Sequence, residues 1–340
     1  MVSEFIVDYK RFRQFCTETA AGMSSVNGTC SECPCRKICR ADRKLWNIDA
    51  IQHMSRAETR FPWAFDLLKR NPALLYAIPS SVYQKLYGTY HQNLPCPFMN
   101  REILEHLDQI GEVCDMLRDD RSKQTYLNVL MYRLTFNRDY ALRAYSVDPQ
   151  YFIPSFRDLG KDEVYVDCGA YIGDTMQDYC RYNQPPKTAY LFEADALNVQ
   201  AIKADLNERD LSRVHIIQAG VYRYTGDLYF VKKNGTEGYL SETEEKDSQR
   251  IPVTTIDDAV KDRVTFIKMD IEGSEKNALV GASGHIRESL PRLAVCVYHS
   301  VSDLWEIPLM IRREFPGYTR FELRHHTGFF SETVFYASQE

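Results

Sequence analysis

From Glu163 onward the apolar residues gather in short runs, VYVDCG, AYLFEAD, VHIIQAGVY, VTFIKMD, RLAVCVYH, RFELRHH and ETVFYA. Runs of this length, rich in Val, Ile, Phe and Tyr, suit strands buried on both faces. Helix-length stretches between several of them imply parallel crossover units, so the pattern predicts an α/β, doubly wound, Rossmann-like sheet of seven strands. Only a short stretch around Gly328 separates the last two runs, which predicts an antiparallel hairpin at one edge. Upstream the spacing becomes helical. Ile103, Leu104, Leu107, Ile110 and Val113 share one face, and Tyr126, Leu127, Val129, Leu130, Tyr132 and Leu134 share another, with Pro95 and Pro97 as breaks. The chain thus divides into a cysteine-rich segment at 1–45, a mainly helical region at 46–150 and a Rossmann-like domain at 151–340.

Composition bounds the class. With 340 residues, 44% apolar and 26% charged, the chain is an ordinary globular sequence long enough for two folding units. A formal net charge of -5 argues against a general polyanion binder, so no nucleic-acid partner is expected. The basic run RKICRADRK reads as a solvated face. No apolar core of signal-peptide length and no stretch of the ~18 apolar residues a membrane span requires is present. A cytoplasmic protein with reduced thiols is therefore expected, and its ten cysteines do not read as a disulfide framework.

The sharpest segment is VYVDCGAYIGDT, residues 164–175. An apolar strand leads to Asp167; Gly169 and Gly173 then bracket a tight turn through Ala170 and Tyr171, and Asp174 and Thr175 are placed to cap the next helix. Such a turn lets a ligand approach the backbone closely. It lacks the third glycine of a dinucleotide turn and carries Asp167, which would repel a pyrophosphate but tolerate a ligand with an ammonium group and no phosphate. S-adenosylmethionine fits that description.

The second strand ends in Phe192-Glu193-Ala194-Asp195. A carboxylate there can accept hydrogen bonds from two vicinal ribose hydroxyls, which favours Glu193, while Glu193 or Asp195 could instead cap the following helix. Ala219, Gly220 and Val221, small residues at the end of the third strand, could lie against an adenine ring or simply pack. The fourth strand ends KMDIEGSE, where alternation places Lys268, Asp270 and Glu272 on one side, at the crevice where such sheets bind ligands.

In order and spacing, DCGAYIGDT, FEAD, KMDIEGSE, LAVCVYH followed by DLWEIP, and RHH followed by ETVFYA resemble the FkbM family of methyltransferases. The likeness covers about residues 115–340, including a helical lead-in, DDRSKQTYLNVLMYRLT, and DPQYF before the first strand. It implies a class I methyltransferase fold, S-adenosylmethionine as donor, and O-methylation of a hydroxyl on a sugar, glycan precursor or other small molecule. By that resemblance Asp167, Gly169 and Gly173 meet the methionine moiety, Glu193 the ribose, and Asp270 and Glu272 the active-site end. Where the family often has Glu-Pro this chain has Glu193-Ala194, which keeps the carboxylate.

Transfer to oxygen needs a base for the hydroxyl proton. His299, ending the fifth strand, could serve, or be satisfied by a backbone carbonyl; Asp270 and Glu272 compete for the role or could hold a divalent cation with His299. His325 and His326 are expected at the rim. The helical region is expected to cap the crevice, with Trp63, Phe65, Tyr76, Tyr83 and Tyr87 either stacking on a sugar or building core, and with Arg133 within reach of an acidic substrate. Cys16, Cys30, Cys33 and Cys39 are the simplest set for a structural zinc, with an iron–sulfur cluster or unligated thiols as alternatives. A binding module with an inactive Rossmann domain, or a C- or N-methyltransferase, are the rival functions; oligomeric state is open.

Overall fold

The computed structural model describes residues 9–24, 102–135, 138–207, 213–232 and 238–339. They group into two compact units, Met1–Ser146 with Arg324–Ser331, and Val147–Leu323 with Glu332–Glu340. Cys30, Cys33, Cys39, Trp63, Phe65, Tyr76, Tyr83 and Tyr87 lie outside the described residues.

In the first unit the helices are α1 (Tyr9–Ser24), α2 (Leu107–Met116), α3 (Asp120–Thr135) and α4 (Arg138–Ala144). The apolar faces read from spacing are inward: Ile110 and Val113 on α2, and Tyr126, Leu127, Leu130 and Leu134 on α3, are buried. Asp119 starts α3 by accepting the backbone N–H of Ser122 at 2.8 Å, an N-terminal cap. Cys16 is buried on α1, and burial pushes its thiol up to about 12. Arg133 is also buried, its guanidinium donating to the Phe330 carbonyl at 3.1 Å. His325, expected at a rim, is fully buried, and burial holds its ring down at about 3, so it stays neutral.

The remaining elements, in chain order, are β1 (Val164–Cys168), α5 (Asp174–Tyr182), β2 (Thr188–Phe192), α6 (Ala196–Asn207), β3 (Val214–Ile217), β4 (Gly220–Val221), β5 (Gly226–Lys232), β6 (Gly238–Ser241) and β7 (Ser248–Thr254). They continue with α7 (Ile256–Ala259), β8 (Phe266–Met269), α8 (Glu275–Gly281), α9 (Ser283–Ser289), β9 (Arg292–Cys296), α10 (Asp303–Glu314), β10 (Arg320–His325) and β11 (Thr333–Ser338). Seven strands form one sheet in the order β10-β11-β9-β8-β1-β2-β3. The pairs β1–β2, β2–β3, β1–β8 and β8–β9 are parallel, and β11 runs antiparallel to β9. This is the α/β, mostly parallel seven-stranded sheet with an antiparallel strand that the apolar runs predict. All five residues of β1 and of β2 are buried, which is why both read as unbroken apolar stretches. Beneath them Phe152, Phe156, Tyr165, Tyr179, Phe266 and Tyr336 build an aromatic core, with Phe156 edge-on to Phe266 at 5.5 Å and to Tyr336 at 5.2 Å.

Three local differences from the sequence reading matter. The run VHIIQAGVY is not one strand: β3 stops at Ile217, and Gly220–Val221 joins a second, four-stranded sheet in the order β4-β7-β5-β6. That sheet escaped the apolar-run criterion because its strands alternate with charge and sit half-exposed. Asp174 and Thr175 do not cap α5 by hydrogen bonding; Gly173, left-handed at φ 86°, is the cap residue, and Asp174 acts from the first turn on the helix dipole. Finally, β8 ends at Met269, so Glu272 does not continue its alternation but lies in a turn at φ 55°.

Candidate active site

The order of strands in the sheet reverses direction between β1 and β8, which are parallel neighbours, the point where an open parallel sheet leaves a crevice at its carboxyl edge. Gly169 and Gly173 both adopt positive φ, 80° and 86°, which sidechain-bearing residues rarely do. A Cβ on Gly169 would lie 2.0 Å from the Asp270 carbonyl oxygen, so this turn presses directly on the end of β8. The N–H groups of Gly169 and Ala170 both donate to the Phe192 carbonyl, at 3.0 and 2.9 Å, fixing the turn against β2.

Asp167 and Lys268 are register partners on β1 and β8. Their charged groups lie 2.9 Å apart with Asp167 fully buried, and the Lys268 ammonium also donates to the Gly169 carbonyl at 2.6 Å. Burial alone would lower the lysine, but the Asp167 and Asp270 carboxylates outweigh it and hold the ammonium above its usual range. Asp167 therefore braces the turn through Lys268. It is not among the residues that line the cavity.

Glu193 does reach the cavity, at the end of β2. It accepts the N–H of Tyr171 at 2.9 Å and of Asp195 at 2.8 Å, which aim it, while burial pushes its carboxyl up against these bonds. The Asn198 side-chain amide also donates to it at 3.3 Å, so of about four lone-pair sites on a carboxylate one remains, on Oε2. Asp195 is a helix cap, accepting the Leu197 N–H at 2.8 Å and pairing with Lys232.

At the other end Asp270 accepts both the Tyr151 hydroxyl, at 2.8 Å, and the Tyr298 hydroxyl, at 2.9 Å. Burial would raise its carboxyl, yet Lys268, His299 and these hydroxyls together hold it below the usual range. His299 is not a cavity residue. Its Nδ1 lies 3.0 Å from Glu275 and its Nε2 3.4 Å from Asp270 and 3.9 Å from Glu272. Burial would lower its ring, but Glu275, Asp270 and Glu272 raise it to about 9, so it stands as an imidazolium at neutral pH. Among the described residues Asp270, Glu275 and His299 bring possible ligand atoms within 4.8 Å of one another. This set shares Asp270 and His299 with the divalent-cation site expected from the sequence and has Glu275 in place of Glu272.

One cavity of about 390 Å³ joins these ends, inside the range of small-molecule sites. The predicted residues Gly169, Tyr171, Asp174, Thr175, Glu193, Ala194, Ala219, Gly220, Asp270 and Glu272 line it; Asp167, Ala170, Gly173 and His299 do not. The description of the methyltransferase FkbM domain matches residues 167–326.

Over these residues the chain is similar to FkbM methyltransferases.

Among solved structures, an FkbM methyltransferase from Methylobacillus flagellatus KT is 29% identical, with a TM-score of 0.58 over 70% of this chain and 60% of that one. The chain thus spans less than two thirds of that neighbour's length. An rRNA methylase from Streptococcus thermophilus is 14% identical over 54% of this chain and 90% of that one, with a TM-score of 0.35. No curated protein matches the chain at a significant level. Among the described residues no helix is long and apolar enough to cross a membrane.

The fold also places residues in the cavity that spacing did not single out. Phe230 and Leu240 come from the second sheet and, with the expected Val221, supply an apolar wall, while Tyr151 and Tyr298 donate to Asp270, and Gln150 and Glu332 line the cavity too. Tyr298 was legible in the run ending β9; Glu332 sits in the turn before β11, where no periodicity marks it.

Proposed function

We propose that this protein transfers a methyl group from S-adenosylmethionine to a hydroxyl of a sugar, glycan precursor or other small molecule. One observation carries the reading: a single cavity at the β1/β8 switch point has Glu193 at one end, an apolar wall from the second sheet beside it, and the Asp270 cluster at the other end. The residues suit the donor. Glu193 offers its remaining lone pair to a ribose hydroxyl, Val221, Phe230 and Leu240 suit a flat purine, and Gly169 and Tyr171 bring the β1 turn to the cavity wall, where the methionine portion would meet it. When bound, the donor supplies a methyl group activated on a sulfonium.

This chain's own residues do the positioning. Lys268 and Asp167 hold the β1 turn, and Glu193 is aimed by the Tyr171 and Asp195 N–H groups. Asp174, Asp270, Glu272 and Glu332 make the lining acidic, which suits a cationic donor and disfavours a phosphate there. The five described cysteines that are free accord with a reducing compartment such as the cytoplasm.

The test is transfer of a tritiated methyl group from S-adenosylmethionine to a panel of polyols, sugars and amines. Labelled ethers from hydroxyl acceptors support the reading. Labelled amines alone would move the assignment to N-methylation.

A further inference from the structure

Resting on that reading, we propose that Glu332 is the catalytic base that takes the proton from the acceptor hydroxyl. Three carboxylates line the acceptor end of the cavity, Asp270, Glu272 and Glu332. Asp270 is occupied, since both its oxygens accept tyrosine hydroxyls and His299 stands beside it. Glu272 faces the same imidazolium from its turn. Glu332 is different. Its backbone is left-handed, φ 61°, which places the side chain over the cavity just before β11. Gln150 donates its amide to Oε2, and Oε1 receives no hydrogen bond from the described residues. The same Gln150 amide donates to the Tyr151 hydroxyl at 2.9 Å, and Tyr151 in turn donates to Asp270. Glu332 is thus fixed by a neutral donor, with one oxygen open to the space where an acceptor would sit.

The charged groups around it are Asp270, His299 and Lys268, with Gln150, Tyr151 and Tyr298 as neutral neighbours. Burial first, and the Asp270 charge second, push Glu332 up to about 7, against the opposing influence of Gln150, His299 and Lys268. That is where a general base for neutral-pH chemistry is most effective. In the step, the acceptor O–H bond breaks and its proton goes to Glu332 Oε1. The oxygen forms a bond to the methyl carbon, the carbon–sulfur bond breaks, and its electron pair stays on sulfur, leaving a neutral thioether.

A base this close to the methyl group must also feel the sulfonium, which gives a test that needs no acceptor. Calorimetric titrations of S-adenosylmethionine and S-adenosylhomocysteine are compared from pH 6 to pH 8, for the wild type and Glu332→Gln. An ionised Glu332 favours only the cationic ligand, so the ratio of the two affinities should rise with pH at least about threefold more in the wild type than in the variant. Both proteins see the same ligand titrations, so the difference isolates residue 332. Gln150→Met, which removes a bond that favours the ionised form, should move the rise to higher pH. Identical ratio profiles in wild type and Glu332→Gln overturn the proposal, as does an unmoved midpoint in Gln150→Met. Failure to bind either ligand would instead remove the cofactor assignment itself.

Discussion

The Lys268 ammonium lies 2.9 Å from the Asp167 carboxylate and 2.6 Å from the Gly169 carbonyl, tying two neighbouring strands to the glycine turn in a site from which water is excluded. Removing one member of such a pair leaves the other charge buried alone, at a cost of about 3–5 kcal/mol. Lys268→Met should therefore lower the melting temperature by on the order of 10 °C, and adding Asp167→Leu should recover most of it. Affinity for S-adenosylmethionine should stay weak in the double variant, because the Gly169 carbonyl is no longer held. Differential scanning calorimetry and titration of both variants check this.

Gly169→Ala should fail more severely than a glycine change on a surface turn. The added Cβ meets the Asp270 carbonyl at 2.0 Å from a backbone at φ 80°, and both atoms belong to structure that cannot yield independently. A loss of at least about 2 kcal/mol in denaturant unfolding is expected.

Leu240 offers a separation of binding from folding. It is half-buried on the second sheet and lines the cavity. Leu240→Ala should cost little stability but weaken S-adenosylhomocysteine binding about five- to tenfold, the loss of roughly 1 kcal/mol of apolar contact. Unchanged affinity would remove the second sheet from the purine end.

Stability should also fall in mild alkali. The His299 ring is raised from 6.5 to about 9 in the folded chain, so its contribution is fully present below about pH 6.5 and is lost as pH rises through 9. That contribution is on the order of 3 kcal/mol for a group this buried. Melting temperatures from pH 6 to pH 10 should drop for the wild type and change less for His299→Gln.

The seven strands of the main sheet were legible because burial on both faces leaves continuous apolar runs. The second sheet was not, since DLYFVKK and SQRIPVT alternate with charge and resemble solvated loop. Glu193 could be placed from its position at the end of β2. The pairing of Asp167 with Lys268 was not read: strand ends look alike in sequence, and the adjacency of β1 and β8 brings the two together. A doubly wound order already implies that adjacency, so the pair could have been read from the two acidic and basic strand ends together. His299 was favoured as a base for its residue type, whereas three surrounding carboxylates, brought together by the fold, keep it protonated.

The most direct measurement is calorimetric titration of S-adenosylmethionine into the purified wild type and Glu193→Ala. Glu193 is aimed at the cavity by two backbone N–H groups, and its charge-assisted hydrogen bond to ribose would be lost with it. Saturable one-to-one binding to the wild type, weakened about 100-fold in the variant, is the expected result. No heat of binding in either protein, or equal affinity in both, would contradict it.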